Sequence, residues 1–77
     1  MQRRKQRYNI GEVSNISGLS IKSLRYYDKK GVLVPSTRDV QNNYRYYSES
    51  QLLEALAIRE MKLRGFLLQE METVLMS

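Results

Sequence analysis

Apolar residues along this chain follow two different periods, and the change from one to the other divides it into elements. Ile10, Val13 and Ile16 recur at helical spacing behind Asn9, and Glu12 lies three positions after that capping residue, so a short first helix is predicted. Gly18 interrupts the pattern, Leu19 supplies one apolar anchor, and Ser20 is placed to accept the first free amides of a second helix. That helix runs to Lys30 and stops at Gly31, a natural left-handed cap. Two short helices around a glycine-containing turn make a helix-turn-helix.

The period then shortens. Val32-Leu33-Val34-Pro35 and Tyr44 to Tyr47 are rich in β-forming side chains, and the polar stretch from Ser36 to Asn43 ends in turn residues, which predicts a β-hairpin, or wing. Asn42 and Asn43 tolerate left-handed backbone, so the turn needs no glycine. Ser48-Glu49-Ser50-Gln51 is a second capping box. The helix it opens carries Leu52, Leu56 and Leu63 on one side and Ala55, Ile58 and Met61 on another, an arc broad enough for burial against more than one element. Gly65 closes it, and residues 66–76 read as a fourth helix with Leu68, Met71, Val74 and Leu75 inward, its methionines ordinary core filler. The expected fold is mainly α: a winged helix-turn-helix of four helices with a small β-hairpin wing between helices 2 and 3. The apolar pattern stops without a cap two residues after Leu75, which reads as the edge of a longer protein.

Composition narrows the chemistry. The 77 residues contain no cysteine and no histidine, so thiol nucleophiles, disulfides and thiolate metal sites are excluded, and the commonest general base and metal ligand is missing. The remaining carboxylates, amines and hydroxyls do not cluster at a catalytic spacing; no enzyme, no cofactor and no metal are expected. Apolar runs of a few residues span no membrane, and the start Met1-Gln2-Arg3-Arg4-Lys5 lacks the apolar run of a signal peptide, so a cytoplasmic location is expected. The net charge is +5, but Arg3, Arg4, Lys5 and Arg7 precede the first apolar pattern, and the nine basic residues beyond them face eight acidic ones. Residues 1–7 therefore read as a basic, flexible arm and residues 8–77 as the domain.

Basicity matters where it is concentrated. At 100° per residue, Ile21, Leu24 and Tyr27 of the second helix fall within a ~120° arc that reads as its core stripe, while Lys22, Arg25, Tyr26 and Lys29 share a ~100° arc opposite, bordered by Ser23. That face holds three cations and no carboxylate. In a helix-turn-helix the second helix enters the major groove, where Arg reads guanine or clamps phosphate, Lys contacts phosphate, and Tyr meets a thymine methyl or a phosphate. Asp28, near the end of the helix where the dipole disfavours it, calls for a cationic partner. The triplet Arg-Tyr-Tyr recurs at Arg45-Tyr46-Tyr47, but in a strand, where Arg45 and Tyr47 share one face and Tyr44 and Tyr46 the other. Tyr47 reads as core, and Arg45 beside Tyr44 as a phosphate or minor-groove pair, with a structural cross-strand pair as the other reading.

Four motifs in order, IGEVS, LRYYDKKGVL, YRYYS and LRGF, resemble the DNA-binding domain of MerR-family transcriptional regulators, and SIKSLRYYD with YRYYS is most similar to the multidrug-responsive branch. The resemblance implies a dimer on a palindromic operator that bends and untwists an over-long promoter spacer, so that RNA polymerase engages both promoter elements. It places recognition-helix contacts at Ser20, Ile21, Lys22, Arg25, Tyr26 and Tyr27, to which the cationic face adds Lys29. Wing contacts fall at Tyr44 and Arg45, with Arg38 nearby, and a second wing on the backbone at Lys62 and Arg64. Asn43 stands where many members have glycine, and Leu67 where the family often has a capping serine. A small autonomous, excisionase-like DNA-binding protein and a protein-interaction module are the alternatives.

Overall fold

The computed structural model describes residues 7–76, with the side chain of Met76 left aside. The basic arm expected over residues 1–7 lies outside them except for Arg7, which belongs to the first strand. The elements are β1 (Arg7–Asn9), α1 (Ile10–Ser17), α2 (Ile21–Lys29), β2 (Thr37–Arg38), β3 (Arg45–Ser48), α3 (Glu49–Leu63) and α4 (Leu68–Met76). The predicted four helices and hairpin are present, and the strands form one antiparallel sheet in the order β1-β3-β2. β1 is an addition to the sequence reading. It pairs Tyr8 with Tyr47 and Asn9 with Tyr46 across β3, and the Arg7 guanidinium lies 4.3 Å from the centre of the Tyr46 ring.

Both predicted capping boxes form. The Asn9 side chain accepts from the Glu12 amide and Glu12 accepts from the Asn9 amide; Ser48 and Gln51 make the same reciprocal pair at α3. α1 ends at Gly18, whose φ of 83° is the left-handed cap. At α4 the serine missing from position 67 is replaced from the other side: the Leu67 amide donates to Glu70 Oε1 at 2.8 Å, one half of a capping box.

Residues 32–35 are not a strand, and the reason is hydrogen bonding. The Val32 and Leu33 amides both donate to the Tyr27 carbonyl, closing α2. The Val34 carbonyl accepts from Gln51 Nε2, the Ser36 amide donates to Gln51 Oε1, and Pro35 has no amide to donate. Few ladder groups remain, and pairing starts only at Thr37.

The core lies between the sheet and the helices: Val13, Leu19, Leu24, Tyr27, Leu33, Tyr47, Leu52, Ala55, Ile58, Met61 and Met71 are buried. Each large apolar side chain fully buried there is worth roughly 1.5–3 kcal/mol. Several expected core positions point outward instead: Ile16, Ile21, Leu56, Leu63 and Val74 are exposed. In α1 the inner position beyond Val13 belongs to Ser17, whose hydroxyl donates to the Val13 carbonyl at 2.6 Å and accepts from the Leu19 amide at 3.1 Å. A serine so satisfied fits the core without an unpaired polar atom.

Candidate nucleic-acid interface

The recognition helix starts where the sequence places it. Ser20 caps α2 by accepting from the Ser23 amide at 3.0 Å, and its hydroxyl donates to Ser23 Oγ at 2.9 Å. Lys62, from the end of α3, donates to Ser23 Oγ at 3.3 Å, so the expected second wing stands beside the first turn of α2. Arg64, its companion, makes an exposed i,i+4 pair with Glu60 at 3.5 Å. Such a pair is worth at most ~0.5 kcal/mol and yields easily to a phosphate.

Lys22, Arg25, Tyr26 and Lys29 are exposed, as the helical arithmetic requires, and Ser20 and Ile21 join them at the N-terminal end. Tyr27 does not: the residue is 5% exposed, and burial, followed by neighbouring Tyr26, pushes its pKa up. Of the two roles the sequence allows Tyr27, core and contact, the fold gives it the first. It supports Tyr26 by an edge-on contact, ring centres 5.8 Å apart.

The wing turn is organised by Asp39. Its amide donates to the Tyr44 carbonyl and its carbonyl accepts from the Asn43 amide, both at 2.8 Å. Its carboxylate accepts from the Gln41 and Asn42 amides. Asn43 takes a φ of 61°, the left-handed conformation that asparagine tolerates, so the turn closes without a glycine. Tyr44 is 61% exposed beside this turn.

Arg45 points back toward α2 and pairs with Asp28, which supplies the partner that Asp28 called for. Together, Asn9, Ile10, Arg25, Asp28, Asn43, Tyr44, Arg45 and Tyr47 line an open groove of about 630 Å³ between the recognition helix, the start of α1 and the wing. Two organising residues escaped the sequence reading in part. Gln51 was legible as a cap, but its bonds to Val34 and Ser36, which pin the base of the wing, were not. Arg59 donates to the Gly18 carbonyl in the helix-turn-helix turn, a contact across 41 positions that leaves no local signal.

A helix-turn-helix whose cationic second helix shares a groove with a three-stranded wing defines a winged-helix nucleic-acid-binding module. The family profile described as MerR HTH family regulatory protein matches residues 8–77, and the chain belongs to that family. It is 46% identical over 65 residues to the multidrug-efflux transporter 1 regulator of Bacillus subtilis, covering 84% of this chain and 23% of that protein. The crystal structure of MtaN, the N-terminus of the Bacillus subtilis multidrug transporter activator, superimposes with a TM-score of 0.79 at 37% identity over 88% of this chain and 63% of that one. The EcmrR-DNA complex, solved by cryo-EM in EcmrR-RPo, gives a TM-score of 0.76 at 37% identity, covering 87% of this chain and 25% of that one. The chain thus spans about a quarter of the length of the Bacillus regulator. These likenesses do not favour the excisionase-like or protein-interaction alternatives.

Proposed function

We propose that this chain is the part of a MerR-type regulator that binds double-stranded promoter DNA, without enzymatic activity. The observation that carries the reading is that Arg25 of the recognition helix and Tyr44 of the wing border one groove, so a duplex edge can meet both at once. Lys22, Arg25, Tyr26 and Lys29 face the major groove, with Ser20 and Ile21 at its entry; Tyr44 and Arg38 approach the adjacent backbone or minor groove, and Lys62 and Arg64 hold phosphates beside the first turn of α2. Arg45 stands beside them, paired with Asp28. Tyr27 acts from the core by supporting Tyr26.

In the whole protein, two such domains form a homodimer on a palindromic operator, deform the spacer between promoter elements, and so act on RNA polymerase through the DNA. A cytoplasmic, nucleoid-associated location goes with this role. Fluorescence anisotropy on a palindromic promoter fragment, at several salt concentrations, tests the reading. Affinity should fall steeply with salt, and Arg25→Ala should weaken binding by about 1–3 kcal/mol. Binding that ignores both salt and Arg25 would exclude it.

A further inference from the structure

Arg38 and Arg45 stand directly opposite one another in the β2–β3 ladder, and like charges so placed repel. The chain compensates one of them. Arg45 is ion-paired with Asp28 of α2, whereas among the described residues no carboxylate pairs with Arg38, which is exposed at the edge of the sheet. The Asp28 side chain is 15% exposed and that of Arg45 44%. The pair joins two elements that do not otherwise share a strand or a turn: the recognition helix and the central strand of the wing. Buried Tyr47 lines the same groove as the pair, and its pKa is raised by burial, then by Asp28, and lowered by Arg45.

Asp28 would be out of place here without its partner. It sits near the C-terminal end of α2, where the helix dipole disfavours a carboxylate, and on the wall of the groove that the DNA-binding reading gives to a polyanion. We infer that Asp28 is a positioning residue for DNA binding: it holds Arg45 off the phosphates, fixes the wing against the recognition helix, and leaves Arg38 as the wing arginine that contacts the backbone. The inference rests on the DNA-binding reading of the groove. It separates two arginines that charge alone treats as equal.

Counterion release distinguishes the roles, because each phosphate neutralised adds about 0.9 to the slope of log affinity against log salt, and an internally neutral pair adds nothing. The probe is a mixed-sequence duplex, titrated with the chain and its variants below their melting temperatures. Asp28→Asn frees Arg45 and should steepen the slope by about one, while Arg38→Ala should make it shallower by about one. Arg45→Gln leaves Asp28 unopposed and should weaken binding, and the double variant Asp28→Asn, Arg45→Gln should regain the wild-type slope. A purely structural pair would change the melting temperature of these variants and leave the slopes alone, which overturns the inference. So would a double variant as weak as Arg45→Gln, or an Arg38→Ala slope equal to the wild type. Wild-type binding without any salt dependence would instead overturn the DNA-binding reading, and the inference with it.

Discussion

Gly18 shows how one backbone position serves both the fold and the site. Its φ of 83° turns the chain from α1 into the approach to the recognition helix, its amide closes α1 on the Ser14 carbonyl at 2.9 Å, and its carbonyl accepts from Arg59 of α3. A Cβ at this position would lie 2.7 Å from the Arg59 guanidinium, so an alanine must displace the side chain that braces the turn. Left-handed backbone costs a non-glycine residue roughly 1–2 kcal/mol before any clash. At Gly65, also left-handed, an added Cβ meets nothing within 4 Å. Gly18→Ala should therefore lower stability by about 2 kcal/mol or more and Gly65→Ala by about 1, read as urea midpoints at constant slope. Equal losses would show that Arg59 yields without cost.

At the level of elements, the wing depends on a helix cap. Gln51 is the third residue of α3, and its Oε1 accepts from the Ser48 amide, which is the ordinary duty of a capping box. The same oxygen accepts from the Ser36 amide at 3.0 Å and the amide nitrogen donates to the Val34 carbonyl, so one side chain ties the lead into β2 to the end of β3. Gln51→Glu preserves the acceptor but removes the donor and sets a carboxylate beside a carbonyl. It should cost about 1 kcal/mol, and hydrogen exchange should quicken more at residues 36–38 than in the interior of α3. Uniform quickening along α3 would mean that Gln51 serves the helix alone.

The same contacts explain which elements were legible. Capping boxes and left-handed caps depend on residues three or four apart, and those at Asn9, Ser20, Ser48 and Gly65 stand where the sequence places them. Residues 32–35 have the composition of a strand, but their hydrogen bonds go to Tyr27 and Gln51, a competition that composition does not register. β1 is three residues long and begins inside the basic arm, too short to carry a period. The cationic face of α2 was readable because helical geometry alone sets it. The identity of the cation that pairs with Asp28 was not, since Arg45 lies 17 positions away.

For the whole molecule, the small core makes two buried tyrosines a global liability at high pH. Tyr27 joins α2 to the core and Tyr47 joins β3 to it, with 5% and 1% of their surfaces exposed. Burial raises both pKa values above the ordinary 10.0, helped at Tyr27 by Tyr26 and at Tyr47 by Asp28, with Arg45 opposing at Tyr47. Below the unfolded pKa both states hold the phenolic protons, and the contribution to stability is complete. Above it the unfolded chain releases protons that the folded chain retains, so the unfolded state gains and stability falls as pH rises through the folded values. Thermal melting followed by circular dichroism at constant ionic strength should therefore show a level melting temperature up to about pH 10 and a decline above it. Tyr47→Phe removes one of the two groups and should make that decline shallower, even if it lowers the plateau. A decline as steep in Tyr47→Phe as in the wild type would place the alkaline sensitivity elsewhere in the chain.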